Sequence, residues 1–248
     1  MINELLLAII QAATEYLPVS SSGHLALISN LVSTPDIFFF TMLHLASLFA
    51  VVFFLRKEIY SLITFKKETR KLWIYWIVAT IPAALIGLLF NNIIEQAFSS
   101  YLFLGLAFLF TGTVLYFTKD IKQEKKDINV KSGFKIGLLQ TFALFPGISR
   151  SGMTISAGLF QGVDKEQAAR FSFLLFIPLS IGAFILEFLK LETFQITSSM
   201  IVSSIICFVL SLVFLKILIK IIKNNKFWMF SFYCWLIGIL TLVLHFIL

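Results

Sequence analysis

Six long stretches of the chain are almost entirely apolar, and each is long enough to cross a membrane. A membrane-spanning helix needs about 20 predominantly apolar residues. Pro82 and Pro178 lie inside two of these stretches, where proline is tolerated as a helix kink. We therefore predict six transmembrane helices, at about residues 37–55, 72–90, 101–117, 171–189, 200–222 and 228–247.

Two further apolar regions, residues 1–33 and 134–163, are interrupted near their middle by a cluster of Pro, Ser and Gly. Each interruption leaves two helices of about half the length that a span requires. Irregular backbone at membrane depth is tolerated only where protein or a wet cavity surrounds it. Both regions are therefore predicted as re-entrant helical hairpins, which enter and leave the membrane on one side. The predicted fold class is an all-α polytopic membrane protein with six transmembrane helices and two re-entrant hairpins.

The composition of the 248-residue chain excludes several other classes of protein. It is 59% hydrophobic and 13% charged, with 29 Phe residues, whereas soluble domains are about 45–50% apolar and about 25% charged. A soluble enzyme, a nucleic-acid-binding protein and a disordered chain would not have this composition. The two cysteines, Cys207 and Cys234, lie inside apolar stretches and are predicted as packing residues rather than a disulfide.

The net charge of +7 indicates membrane topology rather than binding to nucleic acid. Sixteen of the 20 Lys and Arg residues fall in three segments, 56–71, 118–135 and 216–226. With six spans and two re-entrant hairpins, all three segments lie on one side, which the positive-inside rule makes cytoplasmic. Both termini are then external, and the expected location is the inner membrane of a bacterial cell. Because the first charge is Glu4 and the first basic residue is Arg56, we expect no signal peptide.

The two interrupted regions align with each other when the sequence is shifted by 129 residues. Each half then consists of one hairpin followed by three spans, and the odd number of spans inserts the second half in the opposite sense. The predicted organisation, within one integral domain, is a first repeat (1–117), a cytoplasmic loop (118–133) and a second, inverted repeat (134–248). Independent origin of two Ser- and Gly-rich interruptions is the alternative. The identical pairs are Gln11 with Gln140, Ser20 with Ser149, Ser22 with Ser151 and Gly23 with Gly152.

The first interruption has the composition of an anion-binding turn. Pro18 ends the incoming helix, a run of serines follows, and a new apolar helix begins near His24. A helix N-terminus offers free N–H groups and a partial positive charge, which together bind anions such as phosphate. Ser20 and Ser22 are candidate hydrogen-bond donors to phosphate, and Ser21 is a candidate nucleophile if a base activates it.

The second interruption has the same composition and adds an arginine. Arg150 is the only charged residue between Lys135 and Asp164. An ionisable group at membrane depth costs at least about 2.5–3.5 kcal/mol on insertion scales, which indicates a binding partner or a function. Its planar guanidinium matches two oxygens of a phosphate group. The candidate phosphate ligands around it are Ser149, Ser151 and Thr154.

Two titratable residues of the first interruption are candidates for the chemistry. Glu15 shares a helix face with Gln11, and it is interpreted as the salt-bridge partner of Arg150, a general base, or a Mg²⁺ ligand shared with substrate phosphates. His24 is a candidate for handling a proton or attacking phosphorus, with a packed histidine as the alternative. His44, in the middle of a predicted span, is interpreted as a packed or hydrogen-bonding residue.

These features leave two classes of function open. A membrane phosphatase would use the anion site for phosphoryl transfer, whereas a transporter or flippase for polyprenyl phosphates would use the same site in an inverted repeat. The expected position of Glu15 and His24 beside Arg150 favours the phosphatase, because a hydrolase needs groups that handle protons.

The two interruptions resemble the motifs of the bacterial undecaprenyl-diphosphatase family, the integral-membrane type linked to bacitracin resistance. Residues 11–15 match its Glu/Gln-x-x-x-Glu motif, residues 18–24 its Pro-Val-Ser-Ser-x-Gly-His element, and residues 146–154 its Pro-Gly-x-Ser-Arg-Ser-x-x-Thr motif. The resemblance extends over essentially the whole chain. By position, it implies functional roles for Gln11, Glu15, Ser20, Ser21, His24, Ser149, Arg150 and Thr154.

The resemblance implies hydrolysis of undecaprenyl diphosphate to undecaprenyl phosphate and phosphate, which recycles the lipid carrier of peptidoglycan synthesis. It also implies six spans with two re-entrant hairpins, an active site reached from outside, and a divalent cation, Mg²⁺ or Ca²⁺, with Glu15 as its candidate ligand. Many members have Glu where this chain has Gln11, so a metal held by two side-chain carboxylates is not expected, and Ser22 replaces a common threonine. The expected partners are a polyprenyl diphosphate lipid and the bilayer, with a homodimer possible and no nucleic acid.

Overall fold

The computed structural model describes residues 2–31, 37–64, 70–121, 124–189 and 196–247, and these residues form helices without a β-strand. Three residues of the basic segments, Lys66, Lys67 and Lys122, lie outside the described residues, as do residues 1, 32 and 33 of the first predicted hairpin. The helices are α1 (Ile2–Tyr16), α2 (Ser21–Leu31), α3 (Ile37–Phe54), α4 (Arg56–Ile63), α5 (Arg70–Leu89), α6 (Asn91–Ala97), α7 (Tyr101–Tyr116), α8 (Val130–Phe142), α9 (Arg150–Phe160), α10 (Lys165–Leu189), α11 (Ser198–Lys223) and, after a 3₁₀ turn at Phe227–Met229, α12 (Phe230–Ile247).

The lengths and apolar character of the helices are those of a multi-pass membrane protein. Helices α5, α10, α11 and α12 are each long and apolar enough to span a membrane. Two bent pairs qualify when each pair is counted as one span, namely α3 with α4, bent by 75°, and α6 with α7, bent by 96°. The described residues therefore contain four to six candidate spans. Pro82 and Pro178 lie within α5 and α10 as predicted, and exposed residues such as Ile77, Ile205 and Leu240 give the helices apolar outer faces.

Two segments predicted as loops form short helices. Residues 56–63 form α4, in which Leu62 is buried while Arg56 and Lys57 are exposed, the pattern of an amphipathic helix. Residues 91–97 form α6, in which Ile94 is buried. Both helices are shorter than a span and follow or precede one at a sharp bend, so a search for long apolar stretches does not detect them.

Helix α10 begins earlier than predicted because Asp164 caps it. The Asp164 carboxylate accepts hydrogen bonds from the backbone N–H groups of Glu166 at 3.0 Å and Gln167 at 3.1 Å. One turn later, Arg170 forms ion pairs with Glu166 at 2.9 Å and with Glu58 of α4. The first turns of α10 are thereby tied to α4.

The two regions predicted as interrupted are broken helix pairs. Helices α1 and α2 are separated by residues 17–20, which we call the first break, and α8 and α9 by residues 143–149, the second break. The two helices of each pair pack against each other. Val19 and Ser20 of the first break and Ile148 and Ser149 of the second are buried, so protein surrounds these parts of both breaks, the condition under which irregular backbone is tolerated at membrane depth.

Helices from the two halves of the chain interleave. Helix α1 packs against α11, and α8 packs against α5, while α3 contacts α11 and α10, α10 contacts α5, and α7 contacts α12. The α7–α12 contact is close, because a Cβ on Gly105 would lie 3.1 Å from the Gly238 carbonyl oxygen, and one on Gly238 would lie 3.0 Å from the Gly105 carbonyl oxygen. Cys207 and Cys234 are buried free thiols in α11 and α12, as predicted.

Candidate active site

The first break reverses the chain through Ser20, which has a left-handed backbone conformation with φ of +66°. The Ser20 carbonyl accepts a hydrogen bond from His24 N–H at 3.2 Å, and its Oγ accepts one from Gly23 N–H at 3.3 Å. Ser20 therefore caps the N-terminus of α2. Ser22 Oγ lies 3.3 Å from Ser20 Oγ, so the two serines predicted to bind phosphate form a pair at this turn.

Ser149 has the corresponding role in the second break. Its Oγ accepts a hydrogen bond from Gly152 N–H at 3.1 Å, and its carbonyl accepts one from Met153 N–H at 2.9 Å, so it caps α9. Ser151 Oγ lies 3.2 Å from Ser149 Oγ. The preceding Gly147 has φ of +90°, a conformation that favours glycine. The second pair of predicted phosphate ligands is thus arranged like the first.

The two breaks are in direct contact. Gly147 N–H donates to Ser20 Oγ at 3.1 Å, and Ser151 Oγ donates to the Leu17 carbonyl at 3.4 Å. A Cβ on Gly23 would lie only 2.8 Å from both the Cα and the N atom of Gly147, a distance that real Cβ atoms essentially never show. The N-terminal turns of α2 and α9 therefore lie side by side, as a shared anion site requires.

Helices α7 and α12 each hold one break. Thr111 Oγ1 of α7 donates to the Gly147 carbonyl at 3.0 Å and accepts a hydrogen bond from Ser149 N–H at 3.2 Å. Cys234 Sγ of α12 donates to the Pro18 carbonyl at 3.5 Å. Since α7 and α12 are themselves packed closely at their glycines, the two breaks are held at a defined separation.

Glu15 is at the centre of the site. Its Oε1 accepts a hydrogen bond from Arg150 Nη2 at 3.2 Å, and its Oε2 accepts hydrogen bonds from the Ser21 hydroxyl at 2.5 Å and from Gln11 Nε2 at 2.9 Å. His44 Nε2 lies 3.8 Å from Oε2. The Glu15 side chain is 8% exposed and that of Arg150 is 13% exposed, so the ion pair is largely removed from water. The structure thus joins four of the predicted site residues and adds His44, for which the sequence indicated only a packing or hydrogen-bonding role.

The guanidinium of Arg150 is also held from α10. Its Nη1 donates to the Ser172 carbonyl at 3.1 Å, and its Cζ lies 4.2 Å from the centroid of the Phe176 ring, a cation–π contact. Thr154, which was predicted to bind substrate, donates to the Arg150 carbonyl at 2.8 Å and lies 2.6 Å from the Ser172 hydroxyl. Thr154 and Ser172 therefore support the arginine from two helices.

Ser172 and Phe176 were not identified as site residues from the sequence pattern. They are four residues apart on α10 and share one helix face. Their residue types are ordinary in an apolar span, so the one general signal is the isolated Arg150, whose charge at membrane depth requires partners. The sequence indicates that such partners exist without indicating which span supplies them.

His24 faces α12 rather than the Glu15 carboxylate. Its Nδ1 lies 2.7 Å from the Ser20 carbonyl oxygen, and its Nε2 lies 2.7 Å from the Tyr233 hydroxyl. We expected both Glu15 and His24 to lie beside Arg150. Of the two, Glu15 contacts the arginine directly, whereas His24 bonds to Ser20 and Tyr233. His24 occupies the adjoining turn, with both ring nitrogens engaged elsewhere.

Ligands for a metal ion near Glu15 are few. Among the described residues, no three or more His, Cys, Asp or Glu side chains form a group that could hold a metal ion. The Gln11 amide oxygen is buried without a hydrogen-bond partner, and with the Glu15 carboxylate it supplies two oxygen ligands of the kind that Mg²⁺ and Ca²⁺ prefer. These residues fit a cation whose other ligands are water and substrate phosphates.

The arrangement suits transfer of a phosphoryl group. The Ser21 hydroxyl has a carboxylate in hydrogen-bond reach, Arg150 supplies positive charge, and the N-terminal turns of α2 and α9 add N–H donors. Fold and site together define a multi-pass helical membrane protein in which a serine–carboxylate pair and an arginine lie beside two helix N-termini.

Comparison with known proteins agrees with this class. A family model for the bacitracin resistance protein BacA matches residues 4–240. The chain is 42% identical to an undecaprenyl-diphosphatase of Thermosipho africanus over 246 residues, which cover 96% of this chain and 98% of that protein. It is 37% identical to an undecaprenyl-diphosphatase of Alkaliphilus metalliredigens (96% of each chain) and 38% identical to one of Methanococcus vannielii (97% of this chain, 98% of that protein). The chain therefore belongs to the BacA family of bacitracin resistance proteins, which confirms the resemblance inferred from the two motifs.

Proposed function

We propose that this protein hydrolyses undecaprenyl diphosphate to undecaprenyl phosphate and inorganic phosphate. This reaction recycles the lipid carrier of cell-wall polymers and confers resistance to bacitracin. The observation that carries the proposal is the cluster of Ser21, Glu15 and Arg150 beside two helix N-termini. The names of the similar proteins, undecaprenyl-diphosphatase, indicate the substrate class.

Ser21 is the nucleophile in this proposal. Its Oγ attacks the terminal phosphorus, Glu15 Oε2 takes the hydroxyl proton across the 2.5 Å hydrogen bond, and the anhydride P–O bond breaks to release undecaprenyl phosphate. Water then attacks the phosphoserine, its P–Oγ bond breaks, the proton on Glu15 returns to the Ser21 oxygen, and both hydrogens of the water leave with the phosphate as H₂PO₄⁻. Glu15 thus serves as base in the first step and as acid in the second.

Arg150 binds the diphosphate and stabilises the charge that develops on its oxygens. Before substrate arrives, Glu15 compensates the guanidinium at 3.2 Å. A phosphate group brings more negative charge and accepts two parallel N–H donors from the guanidinium. The contacts with Ser172 and Phe176 do not involve Glu15, so they can hold the guanidinium while its partner changes. Such preorganised positive charge is usually the largest contribution to phosphoryl transfer.

A divalent cation, which the family resemblance implies, would be held by Glu15 and the buried Gln11 amide oxygen together with phosphate oxygens. Bound there, it would neutralise charge on the diphosphate. The roles of Ser21, Glu15 and Arg150 given above are those of the side chains themselves.

For the topology, the proposal is six spans (α3, α5, α7, α10, α11 and α12) and two re-entrant hairpins (α1–α2 and α8–α9), related as inverted repeats. The helix contacts support this arrangement. Exchanging α1 with α8, α3 with α10, and α5 with α11 converts the α1–α11 contact into the α8–α5 contact and the α3–α11 contact into the α10–α5 contact. The paired serine caps at Ser20 and Ser149 support the same relation.

The proposed location is the inner membrane, with the basic segments in the cytoplasm, both termini external and the site open to the external side. The apolar outer faces of the helices suit contact with lipid and with a second copy in a homodimer. A transporter is not favoured, because a carrier needs the anion site but has no need of a serine hydroxyl bonded to a carboxylate.

Phosphate release from a polyprenyl diphosphate by the purified protein in detergent tests the proposed function. We expect release by the wild type, loss by at least about 1,000-fold in Ser21→Ala, as for other nucleophile deletions, and near-normal release in the control Ser29→Ala, an exposed serine of the same helix. Release should fall on chelation and return with Mg²⁺ or Ca²⁺. No release by the wild type with either cation would refute the hydrolase, whereas an active Ser21→Ala would refute only the serine nucleophile.

A further inference from the structure

The hydrogen bonds of His24 determine which tautomer its ring adopts. Nδ1 lies 2.7 Å from the Ser20 carbonyl oxygen, which can only accept, so Nδ1 carries the proton. In the neutral ring Nε2 is then an acceptor, and it accepts the hydroxyl hydrogen of Tyr233 at 2.7 Å. Tyr233 therefore occupies the one nitrogen lone pair through which His24 could act as a base or a nucleophile.

The same bonds form a chain from α12 to the proposed nucleophile. Tyr233 donates to His24, His24 donates to the Ser20 carbonyl, and Ser20, in its left-handed conformation, directly precedes Ser21. On its other side, Ser20 Oγ accepts the hydrogen bond from Gly147 of the second break at 3.1 Å. The backbone that carries Ser21 is thus held from both halves of the chain.

Ring packing keeps His24 in this orientation. The His24 and Tyr233 rings are nearly parallel, with 11° between their planes and 5.7 Å between their centroids, and Phe108 of α7 packs edge-on against His24 at 5.3 Å. Because α7 and α12 approach closely at Gly105 and Gly238, the ring lies between two helices with a fixed spacing.

The geometry points to Tyr233 as a positioning residue that acts through His24. Its hydroxyl holds the imidazole, and the imidazole holds the Ser20 carbonyl so that Ser21 Oγ stays within reach of Glu15. This inference rests on the proposed function, because it assigns a task to the surroundings of Ser21. It also gives His24 the role of an oriented hydrogen-bond donor rather than that of an attacking group.

The variant Tyr233→Phe removes one oxygen and keeps the ring. We expect kcat to fall about fivefold, the size expected for one neutral hydrogen bond, while KM stays unchanged because Arg150, which binds the diphosphate, is untouched. In a His24→Ala background the same substitution should have no further effect, since the chain is already broken. The matched control is Tyr116→Phe in α7, because Tyr116 is 38% exposed and Tyr233 is 40% exposed; its kcat should be that of the wild type.

A second measurement does not depend on turnover. Diethylpyrocarbonate modifies a histidine nitrogen that has a free lone pair, so His24 should be protected in the wild type and react several-fold faster in Tyr233→Phe. His44, whose side chain is 40% exposed, is the internal reference, and its rate should be equal in both proteins. Peptide mass spectrometry assigns the label to each histidine.

Unchanged kcat together with unchanged labelling of His24 in Tyr233→Phe would overturn the inference. A higher KM at unchanged kcat would also overturn it, because the Tyr233 hydroxyl would then contact substrate. A wild-type protein that protects His24 but releases no phosphate would contradict the proposed function and not the hydrogen-bond chain, so the two failures are distinguishable.

Discussion

Replacing Arg150 by lysine keeps the positive charge and removes the planar fork. In the native site the guanidinium donates to Glu15 at 3.2 Å and to the Ser172 carbonyl at 3.1 Å, and its face lies 4.2 Å from the Phe176 ring centroid. A single ammonium keeps one of these contacts at a time. Contacts that Arg150 keeps both before and after substrate binds cancel in kcat/KM, so the relevant loss is one of the two hydrogen bonds from the fork to phosphate, which for a charged group costs about 1.5–3 kcal/mol. This loss predicts a decrease of about 10- to 100-fold in kcat/KM.

Phosphate release at several substrate concentrations measures this value, with the thermal midpoint of the purified protein as a check on folding. The matched control is Arg170→Lys, because Arg170 also bridges two carboxylates and, although it lies only two residues before Ser172, its guanidinium pairs with Glu58 and Glu166 rather than with Glu15. Its kcat/KM should stay within about twofold of wild type, since such partly exposed ion pairs contribute little. The loss of one charged hydrogen bond should lower kcat/KM by more than about threefold. If kcat/KM of Arg150→Lys stayed within about threefold of wild type, the fork would therefore have no role in binding phosphate.

The long apolar helices were predictable because lipid leaves the backbone few options. Every N–H and C=O group in hydrocarbon must be satisfied within the segment, so the length of an apolar stretch is enough to predict a span. The same constraint made the broken stretches 1–33 and 134–163 informative, since a Pro-Ser-Gly cluster at membrane depth is tolerated only inside protein. Helices α4 and α6 are shorter than a span, so the length of an apolar stretch does not predict them.

The site was predictable in part for a related reason. A charge at membrane depth needs a partner, and with so few candidates the sequence indicated that Glu15 and Arg150 belong together. Tyr233 and Ser172 are different, because each is an ordinary residue in an apolar span whose role depends on which helix packs beside it. Tyr233 and His24 are 209 residues apart, and nothing in either local pattern indicates that α12 meets the first break.

Two comparisons of paired variants test the remaining parts of the argument. Glu15→Ala removes the proposed base and leaves Arg150 uncompensated, so kcat should fall by about 100-fold or more. Gln11→Ala removes one hydrogen bond to Glu15, so kcat should fall by about tenfold or less. A larger decrease in Gln11→Ala than in Glu15→Ala would assign the essential role to position 11. Gly23→Ala places a methyl group 2.8 Å from Gly147 and 2.6 Å from the Phe108 ring, so the two breaks must separate and the N-terminus of α2 must move away from that of α9. Overpacking of this kind costs about 1–3 kcal/mol, and because the shared anion site depends on that contact, phosphate release should fall together with the thermal midpoint. At Gly182 in α10 a Cβ meets nothing within 4 Å, so Gly182→Ala should change neither quantity. Equal thermal midpoints and equal activities for the two alanine variants would show that the closeness of the breaks contributes neither to stability nor to the binding of phosphate.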